Sequence, residues 1–426
     1  MPRVSQTLLK NATYLDERMR FRRADVLIDG GRIASLSPLG SLGDGDASES
    51  LECSEMLVIP GLVNAHFHSQ ANLGRGLFRG TPLNEWGDES SAQGRLQARF
   101  FDLVDSGLSA EETKTVCKKA YVELARMGVT FVQDSGLGEP PGVERMLAEA
   151  MNEVGIRGVV DAYDEIERLH DRSDGLVAFG GHLPEEEDIT DEALADAERH
   201  RKACPDATFM THCLETKWRR DAVLEKYGRS SVQLFAERGL LDGKTVLFHG
   251  VEMADEDIRI LAEHGASLAH CPVSNLADVA PVPRCLEMGV EVGLGTDFGS
   301  ADIWEVMRVA HYLRKGRSDE LAAKMVFRMA TIGGARAYGV KDRIGKITEG
   351  HAADLVLVDG SDAAFLPIVE LDSFSNRLHN LLMECRPHMI RGVMVAGEWV
   401  VEGGKLVTVD EEALDEDYAA IARRVG

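Results

Sequence analysis

Positive charge is scarce in this chain of 426 residues, in which 47 lysine and arginine residues stand against 71 aspartate and glutamate residues, for a formal net charge of -24. Nucleic-acid binding draws most of its affinity from Lys and Arg side chains that displace counterions from phosphates. We therefore expect no nucleic-acid partner.

Long apolar runs are also missing. No stretch of about 18 apolar residues occurs, and residues 1–7 are not followed by an apolar signal-peptide core. We expect no membrane partner and a cytoplasmic location. The seven cysteines are scattered and form no Cys-x-x-Cys pair, which argues against a disulfide framework and against a zinc knuckle.

What the chain does contain is the composition of a globular protein, with 44% hydrophobic and 28% charged residues. Its length fits a barrel of about 250 to 350 residues together with a smaller domain. Residues 26–36 form two alternating runs joined by a glycine-containing turn, a hairpin pattern. Similar strand patterns return at 353–358, 392–400 and 404–409. We expect both ends to build one small β-sandwich domain from residues 1–58 and 345–426.

The middle of the chain, residues 59–344, has a different texture, because short apolar runs alternate with segments of helical period. The helical segments include 110–127, 191–204, 231–238, 255–263 and 301–315. This alternation predicts an α/β fold, a (β/α)8 TIM-type barrel. The eight predicted strands are 57–64, 129–133, 158–162, 176–179, 208–212, 245–249, 267–270 and 291–296.

Histidines and one aspartate stand at the ends of these predicted strands. His66 and His68 are two residues apart, so the period of a strand points both to one side, as two ligands of one ion require. His212, His249 and Asp297 close the fifth, sixth and eighth runs, at the end where a barrel places its active site. A core histidine or a helix N-cap explains any one of these residues, but not easily all five.

With these motifs in place, the sequence resembles the amidohydrolase superfamily, and within it the aminohydrolases that include cytosine, guanine and S-adenosylhomocysteine deaminases and triazine hydrolases. The resemblance covers nearly the whole chain. The motifs that carry it are 60–68 (PGLVNAHFH), His212-x-x-Glu215, His249, 270–276 (HCPVSNL), 295–297 (GTD) and 350–356 (GHAADLV).

The resemblance implies a single divalent ion, Zn2+ or Fe2+, bound by four residues. It also implies that Glu215 is the proton shuttle and that His249 orients or polarises the attacked centre. A donor set of imidazoles and a carboxylate suits Zn or Fe and leaves a position open for water. Asp297 would also accept the proton of that water. The implied ligands are His66, His68, His212 and Asp297.

One further absence bears on the branch. Binuclear members of the superfamily use a carboxylated lysine after the third or fourth strand, whereas this chain has no lysine between Lys119 and Lys202. We therefore expect a mononuclear site and hydrolytic deamination of a nitrogen heterocycle, a purine, a pyrimidine or a related nucleoside or base, with release of ammonia. The alternatives are a triazine-type hydrolase that removes chloride or an alkylamine, and a formimino or guanidino iminohydrolase. A non-catalytic assembly protein is disfavoured because every ligand position is filled.

Residues that contact the substrate are less marked. Glu85 and Trp86 lie in a segment, 82–86, similar to one that lines the pocket in nucleoside deaminases and triazine hydrolases. They could equally be a loop acid and a packing tryptophan. His182 lies where the family often has a histidine against the heterocycle, and a solvated loop histidine is the alternative. Asp297 is followed by Phe298 where the family has a small, Asn-rich stretch. A small heterocyclic substrate is the expected partner, and a homo-oligomer is left open.

Overall fold

A computed structural model describes residues 6–78, 80–137, 142–172, 175–275, 279–314, 318–371 and 374–425. The N-terminal part of the chain forms a series of strands. Gly30 and Gly31 form the turn of the predicted hairpin with φ values of 59° and 76°, a conformation open to glycine without steric cost. The strands here are β1 (Thr7–Leu15), β2 (Phe21–Asp29), β3 (Arg32–Ser37), β4 (Glu49–Glu52) and β5 (Met56–Pro60).

The strands of the middle part are short and almost wholly buried, as their apolar runs predict. They are β6 (Leu62–Asn64), β7 (Phe67–His68), β8 (Val129–Asp134), β9 (Arg157–Asp161), β10 (Val177–His182), β11 (Phe209–Cys213), β12 (Thr245–His249), β13 (Ser267–His270), β14 (Val292–Leu294) and β15 (Asp297–Phe298).

The C-terminal part returns to strands and ends in a helix. Its strands are β16 (Leu355–Asp359), β17 (Glu370–Leu371), β18 (Phe374–Ser375), β19 (Ile390–Val395), β20 (Glu398–Glu402) and β21 (Lys405–Leu406).

Helices separate the middle strands. The helix after residue 109 shows why they form: Ser109 accepts from the Glu112 amide while the Glu112 side chain accepts from the Ser109 amide, a capping box. The helices are α1 (Ala92–Asp102), α2 (Ala110–Arg126), α3 (Val143–Val154), α4 (Ile166–Leu169), α5 (Asp191–Ala203), α6 (Lys217–Tyr227), α7 (Ser231–Glu237), α8 (Asp255–His264), α9 (Val282–Glu287), α10 (Ile303–Tyr312), α11 (Asp319–Arg328), α12 (Gly334–Ala337), α13 (Arg377–Glu384) and α14 (Glu411–Ala422). The helix predicted over 301–315 is α10, and Lys315 lies outside the described residues.

Within the described residues, eight parallel strands pair in the order β14, β13, β12, β11, β10, β9, β8 and β6. The two ends of this row meet, because the Ala65 amide donates to the Leu294 carbonyl at 2.7 Å and the Asp297 amide donates to the His66 carbonyl at 2.9 Å. Immediately beyond, β7 pairs in parallel with β15. The predicted TIM-type barrel is confirmed.

Both chain ends share a second sheet, which runs β21, β20, β19, β16, β5, β1, β2, β3, with β4 beside β1. The β2–β3 turn meets the β19–β20 turn, where the Gly397 amide donates to the Ala353 carbonyl at 3.1 Å and the Ala353 amide to the Gly31 carbonyl at 3.0 Å. The sheet therefore curls around a buried apolar cluster, to which Leu9, Val26, Ile33, Leu355 and Met394 belong. The predicted β-rich unit made from both termini is confirmed, while its division from the barrel at 58 and 345 stays a prediction.

The predicted first strand, 57–64, is divided between these two sheets. Residues up to Pro60 pair in the terminal sheet as β5, and Leu62 begins the barrel as β6. Gly61 lies at the change of direction, where a Cβ atom would come within 2.0 Å of Thr130 Oγ1. The two sheets are further joined by the buried ion pair of Arg157 and Asp354, at 2.7 Å.

Large side chains fill the space between barrel and helices, with Trp304, Tyr121, Phe209 and Phe327 among those fully buried. All seven cysteines are buried and free. In the part of the chain that the structure describes, no helix has both the length and the apolar character needed to cross a membrane.

Candidate metal centre

The residues predicted as ligands come together at the carboxyl ends of the barrel strands. His66 lies between β6 and β7, His68 ends β7, and His212 lies one residue before the end of β11. His249 is the last residue of β12, and Asp297 is the first residue of β15. All five therefore lie in or next to strands at one end of the barrel.

The donor atoms of these residues face one another. His66 Nε2 lies 3.3 Å and His68 Nε2 lies 3.5 Å from Asp297 Oδ1, and the Nε2 atoms of His68 and His212 are 3.2 Å apart. One ligand atom from each of His66, His212, His249 and Asp297 falls within a group no more than 4.8 Å across. These separations are those of side chains that could bind one ion.

Each of the four histidines is fixed through its other ring nitrogen. Because each partner is an oxygen acceptor, the Nδ1 atom carries a proton and the Nε2 atom is directed at the centre. The four Nδ1 bonds run from His66 to Gln133 Oε1 at 3.1 Å, from His68 to the Gly136 carbonyl at 2.7 Å, from His212 to Glu185 Oε1 at 2.7 Å and from His249 to Asn275 Oδ1 at 2.9 Å.

Two nitrogen atoms on the inner side of the cluster lack hydrogen-bond partners among the described residues. His66 Nε2 and His249 Nε2 are buried without any, although buried polar atoms in folded proteins are nearly always satisfied. The Nε2 atoms of His68 and His212, 3.2 Å apart, can share one proton, and a cation bound between them would take its place. A divalent cation fits this donor set, because it would satisfy these nitrogens and the Asp297 carboxylate together.

The protonation states agree with this arrangement. Burial, only partly offset by Asp297, lowers the pKa of His66 to about 3, so its ring is neutral at pH 7. Burial opposes ionisation of Asp297, but His249 and His66 outweigh burial and hold the pKa of that carboxyl well below its usual range. Burial likewise opposes charge on His212, yet Glu185 outweighs it and raises the pKa of His212 to about 9. A cation that binds His212 would displace this proton.

Glu215 and His249 lie beside the cluster. Glu215 follows β11 by two residues, and its Oε1 atom lies 3.9 Å from His249 Nε2. Its Oε2 atom accepts from Arg219 Nη1 at 2.7 Å. His249 Nε2 is also 4.0 Å from Asp297 Oδ2, so this ring lies between two carboxylates. The site thus combines a cation-binding cluster with a second acid that can carry a proton.

The backbone at the site includes left-handed residues. His249 has φ of 69°, Asp297 of 57° and Leu214 of 51°. This region is sterically disfavoured for residues with a Cβ atom and clusters at functional sites. The turn at the end of each strand therefore sets the direction of these side chains at a cost in backbone energy.

The predicted pocket residues Glu85 and Trp86 lie farther from the donor atoms. Glu85 is exposed at the end of a 3-10 turn, Leu83–Glu85. The Trp86 ring, half-buried, packs 4.9 Å from Phe298, whose ring is 5.9 Å from that of His68. Trp86 is thus one aromatic ring away from the cluster. The ring between them belongs to Phe298, the residue at which this chain departs from the family pattern after Asp297.

His182 ends β10 and reaches the cluster through one carboxylate. Its Nδ1 atom donates to Asp161 Oδ2 at 2.8 Å, and its Nε2 atom lies 3.5 Å from Glu185 Oε1. Glu185 in turn accepts from His212. His182 is therefore one residue removed from the predicted ligands, and Tyr163 packs beside its ring at 4.5 Å.

The residues that orient the histidines stand in no pattern of the sequence that predicts this role. Glu185 and Gln133 come from β-strand ends and loops with no distinctive spacing. Asn275 belongs to the motif 270–276 and could have been singled out there, although Leu276, its last residue, lies outside the described residues.

Comparison with known proteins agrees with this geometry. A family model described as the amidohydrolase family matches residues 57–400. A 5-methylthioadenosine/S-adenosylhomocysteine deaminase from Pyrococcus abyssi is 31% identical over 433 residues, covering 95% of each chain. A 5'-deoxyadenosine deaminase from Methanopyrus kandleri is 30% identical over 434 residues, covering 94% of this chain and 95% of that one.

Solved structures share the fold. An adenosine deaminase from Xanthomonas campestris with bound zinc superimposes with a TM-score of 0.85 at 23% identity, covering 99% of this chain and 98% of that one. An atrazine chlorohydrolase from Arthrobacter aurescens TC1 complexed with zinc gives 0.84 at 21% identity, covering 98% and 100%.

The chain belongs to the amidohydrolase family, as its motifs predicted. It is a hydrolase that acts on carbon–nitrogen bonds other than peptide bonds. The names of its relatives agree with the prediction of a hydrolytic deaminase.

Proposed function

We propose that this protein is a metal-dependent deaminase that hydrolyses the exocyclic amino group of an adenosine-type purine nucleoside and releases ammonia. The observation that carries the proposal is the convergence of four oriented imidazoles and two carboxylates, Asp297 and Glu215, on one point. The purine preference rests on relatives of about 30% identity over nearly the full chain that are named as deaminases of adenosine derivatives.

One divalent ion, Zn2+ or Fe2+, would be held by His66, His68, His212 and Asp297. The three nitrogen donors and one carboxylate suit either metal. When bound, such an ion polarises a water molecule and lowers its pKa to about 7. Elemental analysis of protein purified without added metal distinguishes zinc from iron.

Asp297 would act on the attacking water. Its carboxylate is ionised at neutral pH because the neighbouring imidazoles hold its pKa low despite burial. It can therefore accept a proton as the water oxygen forms its bond to the ring carbon. Because Oδ1 faces His66 and His68, Oδ2 would be the oxygen that takes that proton.

Glu215 would deliver protons on the opposite side of the reacting carbon. The attacking water would supply both protons. One would pass through Glu215 to the adjacent ring nitrogen as the carbon–oxygen bond forms. The other, accepted by Asp297, would pass on through Glu215 to the amino group, which leaves as ammonia when the carbon–nitrogen bond breaks. Arg219 holds the carboxyl in place at 2.7 Å. His249, which lies between both carboxylates, would orient the attacked centre and stabilise the charge that develops there.

Three further residues would contact the substrate. Trp86, through Phe298, would close the apolar side of the pocket. Glu85 is exposed and free to accept from substrate hydroxyl groups. His182, positioned by Asp161, would contact the heterocycle.

A second candidate function uses the same residues to remove another leaving group. That group would be chloride or an alkylamine from a triazine, or an imino group from a formimino or guanidino compound. The chemistry of attack would be unchanged, and the leaving group would decide whether Glu215 must donate a second proton. Product analysis separates these readings.

The test is turnover of a panel of adenosine, 5'-methylthioadenosine, 5'-deoxyadenosine, S-adenosylhomocysteine, guanine, cytosine and chlorinated and alkylamino triazines in isotopically labelled water. We expect ammonia release from an adenosine derivative and one labelled oxygen on the ring carbon of the product. Turnover confined to triazines with chloride release, or no turnover across the panel by metal-replete protein, would contradict the proposal.

A further inference from the structure

A second group of potential ligands lies apart from the candidate metal centre. It consists of His311, Asp319 and His379, from α10, α11 and α13. Their ligand atoms lie within 4.8 Å of one another. Helix α10 follows the eighth barrel strand, and such helices run back towards the amino ends of the strands. His311, in the last turn of α10, therefore lies away from the end of the barrel that holds His66 and Asp297.

His311 is the central residue of this group. It is only 7% exposed, and neither of its ring nitrogens has a hydrogen-bond partner in the part of the chain that the structure describes. Its Nε2 atom is 3.9 Å from Asp319 Oδ1. A buried histidine without a partner on either nitrogen is rare in folded proteins, where such atoms nearly always bind a group, a water or an ion.

His379 faces His311 from the neighbouring helix. The two ring centroids are 5.1 Å apart with planes inclined by 56°, and His379 Nδ1 is also buried without a hydrogen-bond partner. These nitrogens do not hydrogen-bond to each other, whereas each ring can donate one lone pair to the same cation.

We propose that His311, His379 and Asp319 form a second binding site for a divalent transition-metal ion of the zinc class. Two imidazoles and one carboxylate are a donor set that Zn2+ accepts, with water in the fourth position. Ligand atoms in tetrahedral zinc sites are about 3.4 Å apart, so the group must contract slightly. Asp319 can provide that movement because its side chain is 75% exposed. The bound ion would join three helices and would have no part in the reaction.

The experiment is metal titration of the full-length protein after removal of bound metal, with equivalents of Zn2+ per chain measured by elemental analysis and calorimetry. We expect two equivalents for the wild-type protein and one for His379→Asn. The Asp297→Asn variant should keep the equivalent that His379→Asn loses. His388→Asn, an exposed histidine on the turn after α13, is the matched control and should keep two.

A second variant covers the case in which His379→Asn fails to fold. Asp319→Asn changes an exposed side chain, and we expect it to weaken binding of the second equivalent at least about tenfold while turnover after reloading stays unchanged. Three outcomes would overturn the proposal: one equivalent in the wild-type protein, equal binding by wild type and His379→Asn, or loss of both equivalents in Asp297→Asn. None of these depends on which substrate the enzyme uses.

Discussion

Replacing Glu215 with glutamine keeps the size and the hydrogen-bonding oxygen of the side chain but removes its ability to carry a proton. The residue is positioned for that test. Its side chain is 14% exposed, it accepts from Arg219 Nη1 at 2.7 Å, and its other oxygen is 3.9 Å from His249 Nε2. Nothing in this geometry makes it necessary for binding the ion.

Two magnitudes separate a catalytic role from a structural one. The loss of one charge-assisted hydrogen bond to Arg219, replaced by a neutral one, should lower the free energy of unfolding by about 1 kcal/mol. The loss of general acid–base catalysis should lower kcat by about 10^2 to 10^4, which corresponds to roughly 3 to 5 kcal/mol of barrier. The effect on rate should therefore greatly exceed the effect on stability.

The assay measures metal content, thermal midpoint and kcat on one preparation of Glu215→Gln. Glu187→Gln is the matched control, because Glu187 accepts from Nε of the same arginine, Arg219, at 2.6 Å on the outer side. We expect a small loss of stability in both variants and a loss of kcat in Glu215→Gln alone. Full metal content with near-normal kcat in Glu215→Gln would refute the proton-shuttle role, and loss of metal would make Glu215 a ligand instead.

Three further predictions concern residues around the site. Glu185→Gln weakens the orientation of His212 and should lower zinc affinity about 10- to 100-fold; unchanged affinity in a competition titration with a chelator would contradict this. Burial raises the pKa of Glu186 to about 7, so the stability that this group contributes at low pH is lost as pH rises from its unfolded pKa through about 7. As pH rises from about 5 to 8, the unfolding free energy of Glu186→Gln should therefore increase by about 2 kcal/mol relative to that of the wild type. Denaturant melts in which the two proteins show parallel pH profiles would disprove this. Gly61→Ala places a Cβ atom 2.0 Å from Thr130 Oγ1 and should destabilise the fold by about 1 to 3 kcal/mol, with an unchanged thermal midpoint as the contrary result.

Much of the fold and the ends of its strands could be predicted from local pattern. Buried parallel strands are short apolar runs, so their carboxyl ends, and with them His212, His249 and Asp297, could be located along the chain. The first strand could not be resolved in this way. Residues 57–63 are apolar throughout, and only Pro60 and Gly61 mark where the chain leaves one sheet for the other.

The residues that orient the imidazoles depend on contacts between distant segments. Glu185 reaches His212 across 27 positions and Gln133 reaches His66 across 67, and neither spacing follows from the period of a helix or a strand. Trp86 shows a related limit. Its segment matches the family, but its packing on Phe298 follows from the residue after Asp297, where this chain departs from that family.

The left-handed backbone at His249 and Asp297 affects how sequences of relatives should be read. Apart from glycine, the residues enriched in this conformation are Asn, Asp and His. Only a few residue types can therefore replace His249 and Asp297 without backbone strain, even in a relative in which their chemistry is no longer under selection. His68 is different, because its φ of -127° is extended backbone that any residue adopts. A relative that keeps histidine at the position of His68 therefore provides stronger evidence of retained chemistry than one that keeps only the aspartate at the position of Asp297.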